Sequence, residues 1–383
     1  TMAESETGFY CNYVYNCRYL CLINISGSIE NILIRLDRIN KYSVPDDWMK
    51  IKTIEAHTGG EPLRIIIDGY PKLKGKTLLE KRSDALLNYD HIRKAIIWEP
   101  RGHANMYGAI LVEPDSPEAD IGVIFMHNEG YSTGCGHAVI ALTKVLIEMG
   151  FIQMVEPETT VKMDVPSGYI ESFAKIDNGN VKSIRFQNVP SFVQSLDATI
   201  DIPEIGSVQY DLAFGGAYYA IVNVDQVKLK CTEQYHDALI DKGMRIKQAI
   251  MNSVKIKHPI EPEMDFLYGT IFTDLAQDSK NHSRNVCIFA DGELDRSPTG
   301  TGVSARAAIH YERNEIKLGE SITIESILGS SFSVRIDRTI EYGKYNAIIP
   351  EVTGDAYITG MNTFFINPDD PLKDGFIFNK ELI

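Results

Sequence analysis

Cys135 stands between two glycines in Gly134-Cys-Gly-His137, and the apolar run Ala138 to Met149 follows at once. A thiol acts as base or nucleophile only as thiolate. The start of a helix, with four unpaired amide N–H groups and the positive end of the dipole, lowers a thiol from about 8.5 toward neutrality. The glycines allow backbone to approach a ligand closely. His137, two residues on, is placed to polarise the thiol or to hydrogen-bond a substrate group. A free cysteine is more often a small buried hydrophobe, but the polar, glycine-rich stretch His127 to Gly134 before it favours the chemical reading.

A second segment has the same design. Asp295-Arg-Ser-Pro-Thr-Gly-Thr-Gly302 leads into Val303, Ala305, Ala307, Ala308 and Ile309, a run of small apolar residues toward Gly319. Two such helix starts facing each other would make an anion cradle suited to a carboxylate.

The elements that must hold these segments are readable around them. Ile121 to Met126 is β-rich and predicts a strand. Ala138 to Met149 is apolar on most faces, so the helix is a buried one, ended by Gly150. The chain also repeats itself. Residues 57–67 (HTGGEPLRIII) echo 213–223 (AFGGAYYAIVN), and 123–139 (VIFMHNEGYSTGCGHAV) echo 287–303 (CIFADGELDRSPTGTGV). In the second pair Phe125 matches Phe289, Gly136 matches Gly300, Val139 matches Val303, and Cys135 matches Thr299. Two echoes in the same order at offsets of 156 and 164 residues predict a duplicated α/β unit, each copy wrapping strands around one central helix.

The chain has 383 residues, enough for about two domains, and its 44% hydrophobic and 23% charged residues are a globular composition. The net charge of −14 argues against nucleic acid as partner, since phosphate binding wants a basic face. The six cysteines are Cys11, Cys17, Cys21, Cys135, Cys231 and Cys287. Cys11-x5-Cys17-x3-Cys21 lacks a fourth metal ligand, so free thiols and a reducing compartment are expected. The apolar run Phe9 to Ile25 is interrupted by Asn12, Asn16, Arg18 and Asn24 and follows Glu4 and Glu6. It reads as neither a membrane span nor a signal peptide, and a cytoplasmic location is expected.

Gly134-Cys-Gly-His137 and Asp295-Arg-Ser-Pro-Thr-Gly-Thr-Gly302 resemble the motifs of the proline racemase family. So do His57-Thr-Gly-Gly-Glu-Pro62, Pro100-Arg-Gly-His-Ala-Asn-Met-Tyr-Gly108 and Phe214-Gly-Gly216. The likeness runs from about residue 49 to 383. It implies an α/β fold of two pseudo-symmetric domains, each a curved mixed sheet wrapped around a central buried helix, as in proline racemases and diaminopimelate epimerases. Residues 1–48 would be an N-terminal extension of unassigned role. Residues 49–195 plus about 350–383 would form the first domain, with Cys135, and 196–349 the second, with Thr299. The ligand would lie in the cleft between them. By the same resemblance Cys135 is the base, Gly136, His137, Gly300 and Thr301 hold the carboxylate and ring, and Asp295 accepts a hydrogen bond from the substrate nitrogen. No cofactor and no metal are implied. The partner is a small imino acid, with neither nucleic acid nor membrane, and the chain is expected to form a homodimer. His57, His103 and His127 are expected to be structural, His103 being the nearest to the pocket. Arg296 is expected to be a structural donor and Cys287 a core residue.

One departure bears on the reaction. Racemases and epimerases of the family carry cysteine where this chain has Thr299. Inverting an α-carbon needs a base on one face and a conjugate acid on the other, and a threonine hydroxyl is no acid–base group at neutral pH unless strongly activated. Threonine here resembles the branch that dehydrates trans-3-hydroxy-L-proline to Δ2-pyrroline-2-carboxylate, which tautomerises to the Δ1 imine. A 4-hydroxyproline 2-epimerase or proline racemase is the alternative, and a non-catalytic binding protein a third reading. The group that protonates the leaving hydroxyl stays open among the Cys135 thiol, His137 and a water.

Overall fold

The computed structural model describes residues 43–378. The chain divides after Trp48, and the unit from Met49 onward carries every element named here. The motif expected to lack a metal, Cys11 to Cys21, and most of the extension lie outside the described residues.

In the first half, strands β1 (Met49–Thr58) and β2 (Glu61–Asp68) form a hairpin around Gly59 and Gly60. Both glycines take positive φ, +61° and +96°, which side chains with a Cβ resist. Helix α1 (Leu78–Ile97), opened by a Thr77/Glu80 capping box, crosses to β3 (Gly108–Val112), parallel to β2. Strand β4 (Ile121–Met126) returns antiparallel, helix α2 (Gly136–Glu148) crosses over, and β5 (Glu158–Val165) runs parallel to β4. Strands β6 (Gly168–Asp177) and β7 (Asn180–Gln187) then meander.

The second half repeats this order. Strand β8 (Phe192–Ile202) pairs with β9 (Gly206–Phe214), which forms a hairpin with β10 (Tyr218–Asn223) around Gly215 and Gly216. Helix α3 (His236–Ser253) crosses to β11 (Leu267–Asp274), parallel to β10. Next come β12 (Ser283–Phe289), the two-residue β13 (Glu293–Leu294), helix α4 (Gly300–Glu312), and β14 (Ser321–Glu325), parallel to β12. Strands β15 (Ser331–Tyr342) and β16 (Tyr345–Gly354) close the copy. The chain finally returns: β17 (Ala356–Ile366) lies antiparallel to β1, with Met49 opposite Ile366. Strands β7 and β16 pair and join the halves into one 17-stranded sheet.

The duplication is therefore topological as well as sequential. Helix α2 packs on β1, β6, β7 and β17, and α4 packs on their counterparts β9, β15, β16 and β8. Residues Gly136 to Ile147 of α2 and Gly300 to Ile309 of α4 are all buried. Each fully buried Val, Leu or Ile among them contributes roughly 1.5–3 kcal/mol.

Strand β4 has the expected bounds. Helix α2 starts two residues earlier than the apolar run, at the Gly136 turn itself, and Gly150, at φ +78°, follows its C-cap. Helix α4 stops well short of Gly319, because Asn314 at φ +57° already supplies the left-handed residue that ends a helix. The divisions expected at 195/196 and at about 350 fall inside β8 and β16. Strand β8 pairs with β9, whereas β16 pairs with β15 and, from Glu351 to Gly354, also with β7 of the first half.

Candidate active site

Cys135 and Thr299 are the N-caps of α2 and α4, so the matched positions of the sequence repeat sit at matched ends of the two buried helices. The helix starts meet. A Cβ built on Gly136 would lie 2.5 Å from the Cα of Gly300. No side chain fits there, which explains glycine at both first positions. In this way the amides of the first helical turns, which lack intrahelical partners, are gathered into one place.

Cys135, Gly136, His137, Asp295, Thr299, Gly300 and Thr301 line one pocket together. The structure thus brings the residues expected to act on or hold the substrate to a common site. No arginine or lysine is among its lining residues, so an anion bound there meets helix-end amides and dipoles, not a cationic clamp. The remaining walls are aromatic, from Tyr107, Tyr219, Tyr268 and Phe289. Sequence reasoning did not single these out. Tyr107 lies in the quoted Pro100 to Gly108 motif and Tyr219 just beyond a Gly-Gly turn. Phe289 is the repeat partner of Phe125, which marks a shared strand but not a pocket wall, and Tyr268 carried no signal beyond strand-like surroundings.

The Cys135 sulfur is 3.1 Å from Nδ1 of His137. The other interactions of His137 fix its orientation: its ring also engages the Pro62 carbonyl, and its own carbonyl accepts from the Thr58 hydroxyl at 2.8 Å. Burial holds the His137 imidazole below its ordinary value, so it is neutral. The Tyr107 hydroxyl interacts with the Cys135 sulfur and makes a short hydrogen bond to the Ser132 hydroxyl.

The lowered thiol expected for Cys135 is corrected here. Burial pushes it well above its ordinary value, and the nearby Asp295 adds to the rise. The Ala138 amide and the Tyr107 hydroxyl pull the other way without prevailing. The helix end helps the thiolate, but full desolvation in an apolar, aromatic pocket outweighs it.

On the other helix, the Thr299 hydroxyl donates to Oδ2 of Asp295 at 2.7 Å, while Oδ1 accepts from the Ser297 amide at 2.7 Å. Thr299 has φ +67°, a strained position for a β-branched residue. Thr301 is hydrogen-bonded to the Tyr219 hydroxyl at 2.6 Å.

Behind Asp295 lie two fully buried acids. Glu61 accepts from the Arg296 amide at 2.7 Å and Glu293 from the Asn128 amide at 2.7 Å. Burial raises both carboxyls well above their ordinary values, with Asp295 adding to each rise. Arg296 donates from Nη1 to the Leu294 carbonyl at 2.6 Å. His57 accepts from the Gly60 amide at 3.2 Å and stacks on Tyr357. His103 accepts from the Asn105 amide and does not line the pocket. His127 is buried beside Tyr107, Tyr268 and Phe289. Cys287 is buried within β12.

Residues 53–377 match the family model described as proline racemase. A Colwellia psychrerythraea protein named trans-3-hydroxy-L-proline dehydratase is 51% identical over 353 residues, which are 92% of this chain and 99% of that one. A Burkholderia multivorans protein named 3-hydroxyproline 2-epimerase is 43% identical over 327 residues, 85% of this chain and 98% of its own. Among solved structures, a hydroxyproline epimerase from Agrobacterium vitis with bound trans-4-hydroxy-L-proline superposes with a TM-score of 0.83. It is 30% identical, and the match covers 88% of this chain and 97% of that one.

Proposed function

The chain belongs to the proline racemase family, and on that footing we propose that it is a lyase that dehydrates trans-3-hydroxy-L-proline to Δ2-pyrroline-2-carboxylate. One observation carries the reading. Of the two matched helix caps, only Cys135 presents a group able to take an α-proton, while the Thr299 hydroxyl is already spent on Asp295. The relative of highest identity quoted above bears a dehydratase name. The epimerase relative keeps the alternative in view, but inversion would need an acid on the second face that Thr299 does not offer.

The carboxylate of the substrate would meet the amides of Gly136, His137, Gly300 and Thr301, and its ring nitrogen the Asp295 carboxylate. Cys135 would remove the α-proton, with the carbanion-like charge spread into a carboxylate held at two helix ends. The C3–O bond then breaks to give the enamine, and no cofactor takes part. The pocket is small and bounded by the two helix starts and the aromatic walls, a setting suited to a small ring. The substrate's positive nitrogen, once enclosed, offsets the desolvation that holds Cys135 as a thiol. Among the described residues no helix is long and apolar enough to cross a membrane. The free thiols Cys135, Cys231 and Cys287 suit a reducing, cytoplasmic setting.

Incubation with trans-3-hydroxy-L-proline, followed by o-aminobenzaldehyde, tests this. A yellow adduct that is absent with Cys135→Ser is the expected result. A change in optical rotation without an adduct would make the enzyme an epimerase.

A further inference from the structure

The stereochemistry of the proposed substrate limits where the second proton comes from. In trans-3-hydroxy-L-proline the hydroxyl and carboxylate lie on opposite faces of the ring, so the hydroxyl and the α-hydrogen share one face. The elimination is therefore syn. A base that reaches the α-hydrogen is on the same side as the leaving group, and the acid must be on that side too. Thr299, at the other helix cap, is excluded by its position and by its bond to Asp295. Of the groups around the Cys135 sulfur, His137 is neutral and has its ring engaged with the Pro62 carbonyl. Tyr107 remains. It lines the pocket, its hydroxyl interacts with the Cys135 sulfur, and Ser132 supports that hydroxyl from behind.

Resting on the dehydratase reading, we propose that Tyr107 is the general acid that protonates the departing 3-hydroxyl and then recovers its proton from Cys135. The thiolate of Cys135 takes the α-proton and becomes a thiol. The electron pair left on C2 forms the C2=C3 bond as the C3–O bond breaks. The departing oxygen takes the Tyr107 phenolic proton and leaves as water. The phenolate takes the thiol proton, which restores both groups, so the sum is substrate to enamine plus water. With the substrate's positive nitrogen bound, Cys135 supplies the thiolate; burial and that charge keep Tyr107 protonated, while the Ser132 hydrogen bond eases its loss of the proton.

The test separates the two proton transfers. Tyr107→Phe keeps the ring and removes only the hydroxyl. It should cut dehydration of trans-3-hydroxy-L-proline by at least about 100-fold, as for a lost general acid. Exchange of the α-hydrogen of L-proline in D2O needs only Cys135 and should fall less than about tenfold, through the lost support of the thiolate. Fluoride leaves without a proton, so fluoride release from trans-3-fluoro-L-proline should likewise survive. Ser132→Ala, which leaves Tyr107 in place, should show the same selective loss on a smaller scale. Unaltered dehydration by Tyr107→Phe would overturn the assignment, as would equal losses of dehydration, exchange and fluoride release. A wild-type protein that exchanges the α-hydrogen of L-proline but releases no water from the 3-hydroxy compound would instead sink the dehydratase reading itself.

Discussion

Gly136 and Gly300 touch backbone to backbone: a Cβ on Gly300 would fall 2.6 Å from the Cα of Gly136 and 3.0 Å from its carbonyl carbon. Neither neighbour is a side chain that can swing away. Gly300→Ala must therefore push the two helix starts apart. Overpacking of this kind costs about 1–3 kcal/mol, and displacing a cradle by an ångström costs roughly 100-fold in rate. Thermal melts should show a reduced Tm, and turnover should fall by about two orders of magnitude. A variant with normal Tm and rate would mean that the helix ends do not need to meet.

The buried thiol sets the pH dependence. Because burial raises Cys135 above its ordinary value, the thiolate is the minor form at neutral pH and its fraction grows with alkalinity. In the free enzyme kcat/KM should climb about tenfold per pH unit from neutrality through the usual thiol range. Once the substrate's positive nitrogen is beside the sulfur, the limb in kcat should lie at lower pH. A kcat/KM profile already flat at pH 7 would contradict a desolvated thiol.

Thr299→Cys restores a thiol at the second helix cap. It also removes a β-branched side chain from φ +67°, so the fold should tolerate it. Slow epimerisation of trans-4-hydroxy-L-proline should appear, readable by chiral chromatography. The unmutated protein in D2O should label L-proline without forming the D-isomer. Comparable epimerisation by both proteins would remove Thr299 as the reason for one-sided chemistry.

Glu61 predicts a stability effect of definite sign. Its folded carboxyl is raised well above the ordinary 4.5, so the folded state holds a proton that the unfolded chain gives up. Below that ordinary value both states are neutral and nothing is lost. As pH rises past it, the unfolded state ionises first and stability declines, by up to about 1.4 kcal/mol per pH unit, until the folded group ionises too. Between pH 4.5 and 7, Glu61→Gln should therefore show a smaller decline in Tm than the parent. Parallel curves would mean that Glu61 is ionised in the fold.

Legibility from the sequence followed the range of the interactions concerned. Strand β4 and helix α2 were readable because apolar pattern, loop and stop signal are contiguous from Ile121 to Gly150. The pairing of Cys135 with Thr299 was readable because duplication left both in register. Tyr268 and Phe289 were not, because β11 and β12 are buried on both faces along most of their length and show no alternation that marks a pocket side. The state of Cys135 was misjudged for a related reason. A helix start is a local feature, but desolvation comes from Tyr107, Tyr268 and Phe289, which are distant in sequence.

The place of β17 has a bearing on synthesis. The edge of β1 waits for Ala356 to Ile366, the last of the described strands in chain order, whereas every strand of the second copy has a neighbour close behind or ahead of it. On the ribosome the half that emerges first is thus the half whose sheet is completed last. Until translation has passed Ile366, β1 presents an unpaired edge to other nascent chains. Termination before that point would leave a protein with both helix caps of the site present and one of the strands beneath the Cys135 helix missing.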